Sequence, residues 1–353
     1  MMKAIAKILL VKVFISFFVF LNPLSLMGQN KYLPVSLNHD ASARRVEVNI
    51  GGKFFTSYRY DTMLEKPVLF PINASEGTTI TRGFPLEPRP GERIDHPHHI
   101  GSWFNYGSVN GLDFWNNSSS IPKDQKHLYG TVRHQRVVVA ESGNTSGRLV
   151  VQNHWVDVNE KVLLTEETEF IFSGTENLRT IDRKTKLIAG SVPVVFKDNK
   201  EGMMAIRMDR AFEAPVTTPE VFVDANGKPT TVPVMNNEGK NGVYQNSHGE
   251  TGAGVWGKRA DWMTLTAKLG SGVITVAMLD HKRNFGYPAH WHARTYGLFS
   301  VNNFGSKVYV ASDPEQQFDL MPEKSVEFRH RIIIFSGMMP DGFMSEQFAD
   351  FNR

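Results

Sequence analysis

One large antiparallel β-sandwich is the architecture this sequence predicts, in the all-β class, and three observations lead to it. Short runs in which apolar and polar residues alternate recur along nearly the whole chain, the pattern of strands buried on one face. Beyond the N-terminal apolar segment no long run keeps apolar residues at i, i+3, i+4 and i+7, so helices are expected to be scarce. The strand-like runs follow one another without helical segments between them, which excludes the βαβ alternation of a parallel sheet. No motif recurs at the roughly 40–50 residue period of propeller blades, and no Pro/Ser-rich linker divides the chain.

Taken in order, residues 1–28 read as a secretory signal peptide. Lys3 and Lys7 form a basic start, residues 8–21 an apolar run broken only by Lys12 and Ser16, and Gly28 supplies a small residue near the cleavage point. Lys12 leaves the run too short to span a bilayer. The expectation is a secreted or periplasmic protein without stable membrane insertion after cleavage, whose residues 29–353 form a single large β-sandwich domain. It has no cysteine, hence neither disulfides nor a thiol-linked lipid anchor, and stability must come from its core. Three of the 39 basic residues, Lys3, Lys7 and Lys12, lie in the signal, which leaves 36 against 36 acids. A neutral mature chain lacks the basic face of a polyanion binder, so no nucleic-acid partner is expected.

Residues 45–50 alternate, Gly51-Gly52 turns, and residues 53–58 return, which reads as a hairpin. Residues 68–72 and 78–83 are expected as strands, the first weakened by Pro71. Residues 135–141 and 148–158 form a second hairpin, and 161–172 and 179–189 continue the meander. Residues 203–208 follow, then a Gly/Asn/Pro-rich stretch at 225–254 that reads as a long loop. A hairpin over 262–269 and 273–280, strands at 298–302, 308–311 and 325–335, and a short helix at 344–351 complete the chain.

The chemistry concentrates in two places. Residues 91–115 hold His96, His98 and His99 just after Asp95, followed by Trp103, Phe104, Tyr106, Phe114 and Trp115. Pro97 places the histidines in a loop or at a strand edge. In an extended chain His96 and His98 would share one face and His99 the other. Imidazole titrates nearest neutrality and is a frequent metal ligand. Clustered imidazoles repel one another when charged, so three in four residues point to use in a site. Interleaved Asn110 and Asp113 suggest a polar wall beside stacking faces, a mixture suited to neutral sugars. The second place is His290-Trp291-His292-Ala293-Arg294, beyond a strong strand, where sites are usually built. Between the two, Glu201 and Arg207 straddle a strand start. Phosphate-cradling, dinucleotide-binding, Gly-x-Ser-x-Gly and His-Glu-x-x-His motifs are absent.

Arg82-Gly83-Phe84-Pro85, Asp95-His96-Pro97-His98-His99, Asn110-Gly111-Leu112-Asp113-Phe114-Trp115, Lys197-Asp198 with Glu201-Gly202, and His292-Ala293-Arg294 through Phe304-Gly305 together resemble the DUF6807 family over nearly the whole mature chain. That family is often labelled "methane oxygenase PmoA". A membrane monooxygenase subunit needs several transmembrane helices, whereas this chain has one removable apolar segment. The resemblance implies a protein of polysaccharide-utilising bacteria with a galactose-mutarotase-like supersandwich, a layout whose members bind or act on carbohydrates.

The expected function is that of a carbohydrate-active enzyme with a saccharide ligand, catalysing glycosidic-bond hydrolysis or elimination, then epimerisation. His98, His99, His290, His292 and Glu201 are the candidate catalytic groups. Arg82, His96, Trp103, Asn110, Asp113, Trp115, Arg207 and Arg294 are the candidate binding residues, with the saccharide stacked on Trp103 or Trp115. No cofactor is required on this reading, and metal ligands are left unassigned. The alternatives are a non-catalytic glycan-binding accessory protein and an enzyme using a divalent metal on the clustered histidines.

Overall fold

Valine and isoleucine at every second position act as the alternation predicts: Val46, Val48 and Ile50 are fully buried on one side of their strand, while their neighbours face outward. The computed structural model describes residues 31–231, 235–270 and 272–353. The expected signal peptide, residues 1–28, lies outside them, as does Ser271 in the expected turn of the 262–280 hairpin.

Among the described residues the strands run, in chain order, β1 (Val35–Asp40), β2 (Arg45–Ile50), β3 (Lys53–Arg59), β4 (Val68–Ile72), β5 (Ser102–Tyr106), β6 (Thr131–Glu141), β7 (Ser146–Val156), β8 (Val162–Gly174) and β9 (Leu178–Ala189). There follow β10 (Val194–Lys197), β11 (Gly202–Arg207), β12 (Val243–Asn246), β13 (Trp262–Leu269), β14 (Gly272–Asp280), β15 (His290–Trp291), β16 (Leu298–Asn302), β17 (Gln317–Leu320) and β18 (Ser325–Ser336). One α-helix, α1 (Phe343–Phe351), closes the chain. Two eight-stranded sheets result, one ordered β1-β2-β3-β4-β5-β11-β16-β15 and the other β12-β13-β14-β18-β9-β8-β7-β6, with β10 and β17 paired separately. Among the described residues all pairings between these strands are antiparallel.

The sheets share one apolar core. Phe104 of β5 meets Trp155 of β7 and Phe328 of β18 across it, ring centroids 6.5 and 6.0 Å apart. Glu166 of β8 also points inward, where Arg183 pairs with it at 3.0 Å and the Trp155 indole donates to it at 2.8 Å, so a buried charge is compensated.

The all-β sandwich and the hairpins at 45–58, 135–156 and 262–280 follow the alternation. Two expected strands do not form. Residues 78–83 make only isolated bridges, Asn73 to Thr79 and Thr81 to Met208, because Arg82 turns away to serve a loop. Residues 308–311 form turns on Ser306, and the Tyr309 hydroxyl donates to the Lys200 carbonyl at 2.7 Å. Sequence periodicity also passes over β5, whose five residues are all buried. A strand covered on both faces does not alternate, and that double cover creates the site.

Candidate functional site

Pleating sends Phe104 and Tyr106 into the inter-sheet core and Trp103 to the opposite face of the first sheet. There Trp103 pairs across the ladder with Ala205 of β11, and both join Val68, Phe70, Ile100, Trp115 and Leu298 in a second apolar cluster. This cluster is the floor on which loops from five parts of the chain assemble. Gly101 makes the entry fit. It holds φ of 53°, and a Cβ there would lie 2.2 Å from the Leu69 carbonyl oxygen, so only glycine lets the histidine loop descend into β5.

Two buried cations hold that loop by its backbone. The Arg82 guanidinium donates to the carbonyls of Asp95, His96 and His99 at 2.9, 3.0 and 3.1 Å. The Lys66 ammonium donates to the carbonyls of His98 and Trp115 at 2.8 and 3.4 Å. His96 sits at φ of 47°, and its carbonyl also accepts from the His99 amide at 2.9 Å. The segment is therefore a tight turn rather than an extended chain. With the carbonyls engaged by cations, all three imidazoles come to one side instead of being divided between two faces.

Asp95 anchors the other end of the loop. Its carboxylate meets Arg82 at 2.8 Å, Arg207 of β11 at 2.8 Å and Arg93 at 2.7 Å. Burial alone would push this carboxyl up, but Arg207 above all, with His96, Arg82 and Arg93, holds it well below the usual carboxylate range. Burial lowers the Lys66 ammonium to about 7 and the Arg82 guanidinium to about 9.

These constraints shape a cavity of about 650 Å³ lined by His96, His98, His99, Asn116, Asn199, Lys200, Glu201, His292, Arg294 and Tyr296. Imidazoles dominate it. His96 is stacked between His99 at 4.8 Å and Tyr296 at 5.1 Å. His99 lies on Trp103 at 5.1 Å, and His292 lies on Trp115 at 6.2 Å. Burial, with the Lys66 charge next, pushes His98 down to about 2; burial, with Lys200 next, pushes His292 to about 3; burial and His98 drive His99 well below its ordinary value. Three neutral imidazoles thus face one cavity at neutral pH. Arg207 lies 3.2 Å from the His99 Nδ1. A guanidinium only donates, so Nδ1 accepts and Nε2 carries the proton.

Opposite lies Glu201, raised by burial against the pull of Lys200. Its Oε1 is 3.0 Å from the Lys200 ammonium and its Oε2 3.5 Å from the His292 Nδ1. Gly107 makes room for it, since a Cβ there would sit 2.8 Å from the Glu201 Cβ and 2.9 Å from the Asn199 Oδ1. The Nε2 atoms of His98 and His99 and the Nδ1 of His292 are buried without a hydrogen-bond partner. Such atoms are costly and rare in a structural role.

The two histidine clusters meet here through His96, His98, His99 and His292, with Glu201 and Arg294 beside them. The other expected site residues lie elsewhere. His290 of the edge strand β15 is not on the cavity wall; its Nδ1 lies 2.7 Å from the Gly257 carbonyl, and its ring stacks on Tyr309 at 4.9 Å. Arg82 and Arg207 are buried behind the wall and committed to Asp95. Trp103 and Trp115 are fully buried, so neither offers a face on which a saccharide can stack; they are the floor beneath the imidazoles. Asn110 closes a turn by accepting from the Val195 amide at 2.8 Å. Asp113 accepts from the Trp115 and Asn116 amides, both at 2.9 Å, and from the Asn116 side chain at 2.7 Å, so it places Asn116 on the wall rather than lining it. Lys66, Asn116, Asn199, Lys200 and Tyr296 join the site without having been singled out; a lone lysine beside Pro67-Val68-Leu69-Phe70 was the one visible sign of the first. Among the described residues, no three His, Asp or Glu side chains are placed to hold a metal ion together.

Residues 45–349 match the model of a family described as "Family of unknown function (DUF6807)". No curated protein matches the chain. Among solved structures it is similar to the GH36 alpha-galactosidase AgaB from Geobacillus stearothermophilus, at 11% identity and TM-score 0.42, over 88% of this chain and 42% of that one. A GH36 alpha-galactosidase AgaA from the same organism, in complex with stachyose, matches at 11% identity and TM-score 0.40, over 84% of this chain and 41% of that one. A galactose mutarotase related enzyme from Lactobacillus acidophilus matches at 8% identity and TM-score 0.29, over 87% and 98%. The chain spans about two fifths of the length of the alpha-galactosidases it matches.

Proposed function

The chain belongs to the DUF6807 family, and from that premise we propose that it is a carbohydrate-active enzyme that moves a proton on a bound saccharide, in the epimerase or lyase class. The observation that carries this reading is a single buried carboxyl, Glu201, facing neutral imidazoles across a polar cavity. A carboxyl raised by burial keeps its proton to higher pH and is thereby available as a general acid, and a neutral imidazole has a nitrogen lone pair free to take a proton. His98, with an unpartnered Nε2, is the acceptor. Glu201, beside His292, is the donor. His99, whose Nε2 holds its proton, donates a hydrogen bond to substrate oxygen.

The cavity volume falls in the range of small-ligand sites, and Asn116, Asn199, Lys200 and Tyr296 supply donors and acceptors for hydroxyl groups. Glycoside hydrolysis generally uses two carboxylates flanking the scissile bond. Among the described residues Glu201 is the one carboxylate lining this cavity, so hydrolysis gives way to proton transfer. A glycan-binding accessory role loses support because the tryptophans it would use are buried. Secretion to the periplasm or beyond, expected from residues 1–28, is part of the proposal.

The test separates chemistry from binding. Glu201→Gln and His98→Ala are expected to reduce turnover of the responsive saccharide by at least ~100-fold, the usual share of general acid–base catalysis, with its affinity nearly unchanged. Full turnover in both variants would remove the assignment, and lost affinity with no turnover in the parent protein would make the cavity a binding site.

A further inference from the structure

The charges around the cavity do not balance. Behind the histidines, Arg82, Arg93, Arg207 and Lys240 are connected through ion pairs to Asp95, Glu213 and Glu220, four cations against three carboxylates. Lys66, lowered by burial to about 7, adds a partly protonated amine that rests on backbone carbonyls and feels the Asp113 and Glu65 carboxylates. On the wall itself Glu201, the proton donor above, is uncharged in that role and leaves the Lys200 ammonium 3.0 Å away without a counter-charge. Arg294 remains. Among the described residues its guanidinium has no ion pair; it lies 5.5 Å from the Trp256 ring and 5.9 Å from the Tyr296 ring. Those aromatic faces hold a planar cation at the rim while leaving its donor fork free. Nearby, the buried His99 Nε2 is a donor without a partner. A cavity with surplus positive charge and unmatched donors favours a negatively charged oxygen ligand.

We infer that this cavity takes an anionic saccharide whose carboxylate, that of a uronic acid unit, is bound by the Arg294 guanidinium. The inference rests on the saccharide reading above and narrows it. A guanidinium matches a carboxylate with two parallel hydrogen bonds, which fixes the sugar ring by one end. Neutralising the carboxylate makes the adjacent C–H more acidic, and the reaction then balances without a co-reactant. The His98 imidazole takes that proton, and the C–H electron pair becomes a carbon–carbon double bond. The C–O bond on the next carbon breaks with its electrons on oxygen, and that oxygen takes the Glu201 proton. Arg294 is a specificity-determining residue in this scheme.

The experiment is calorimetric titration of the full mature chain with uronate dimers (galacturonate, mannuronate and glucuronate), with their methyl esters, and with a neutral disaccharide carrying one sulfate ester. The methyl esters keep the sugar and remove the charge. The expected result is that at least one uronate dimer binds, that its methyl ester binds at least tenfold more weakly, and that Arg294→Ala abolishes the difference while Arg294→Lys restores part of it. Equal binding of acid and ester, or discrimination that survives Arg294→Ala, would overturn the inference and leave the saccharide reading standing. Preference for the sulfate ester would overturn the carboxylate assignment. Binding of none of these sugars would overturn both. Thermal unfolding of the Arg294 variants guards against a folding artefact, and their exposed position predicts midpoints close to the parent.

Discussion

Replacing Asp95 with asparagine is the sharpest test of how the histidine loop is held. The side chain keeps its size and loses its charge. Asp95 accepts Arg82 and Arg207, both at 2.8 Å, and these guanidiniums are 1% and 0% exposed. Removing one partner of a buried ion pair typically costs about 3–5 kcal/mol, because the remaining charge stays buried and uncompensated. The Asp95 side chain is itself 26% exposed, so water screens part of the interaction and the low end, about 3 kcal/mol, applies. In a unit spanning residues 31–353 that corresponds to a midpoint lowered by about 4 °C. The pH dependence has a definite sign. The folded carboxyl lies below its ordinary value of 3.8, so its contribution is fully present above that value and is lost as pH falls towards the folded one. The deficit of the variant should therefore be constant from pH 5 to 8 and shrink only in strong acid. Urea and thermal unfolding followed by circular dichroism measure it. A deficit under about 0.5 kcal/mol, the level of an ordinary surface change, would refute the claim that Asp95 compensates two buried arginines.

Lys66→Met tests the second cation. Burial lowers the folded ammonium from 10.5 to about 7, so the unfolded chain binds more protons between those values and the parent gains stability as pH rises from 7 towards 10.5. The variant should lose that rise when urea midpoints at pH 7 and 9 are compared. Gly107→Ala should shift the Asn199–Glu201 turn, because the new Cβ would meet the Glu201 Cβ at 2.8 Å. A displacement of about 1 Å is enough to cost on the order of 100-fold in turnover, with little change in the unfolding midpoint, and wild-type kinetics would show that the turn yields without consequence.

Much of the fold was legible because period-2 alternation is a one-face signal. It marked β2, β7 and β8, and the alternating stretches of β9 and β18, where one side is inner and the other outer. It failed at β5, where Ser-Trp-Phe-Asn-Tyr is buried throughout, since a second cover of loops removes the contrast that alternation needs. The site was legible as composition and not as geometry. His98, His99, His292, Glu201 and Arg294 stood out as chemically dense, and they do line one cavity. Their backdrop could not be inferred from spacing. Arg82 and Arg207 read equally well as ligand-binding arginines, and only the tertiary structure commits them to Asp95 and the loop carbonyls. Tryptophans likewise suggest stacking faces or core with equal force; here burial decides for the floor. His290 and His292 alternate as a strand should, and both rings lie near Tyr309, at 4.9 and 6.5 Å, yet β15 is two residues long and only His292 reaches the cavity wall.

In the proposed reaction, neutral imidazoles and the Glu201 carboxyl exchange a proton with carbon on a bound sugar. The most direct measurement is to incubate the mature chain with the saccharide it binds in deuterium oxide and follow the sugar by proton nuclear magnetic resonance. The expected result is loss of one ring C–H signal to deuterium, or its disappearance into an unsaturated product, with both changes suppressed at least ~100-fold in His98→Ala. A saccharide that stays bound while keeping every C–H signal, or that exchanges equally fast with His98→Ala, would contradict it.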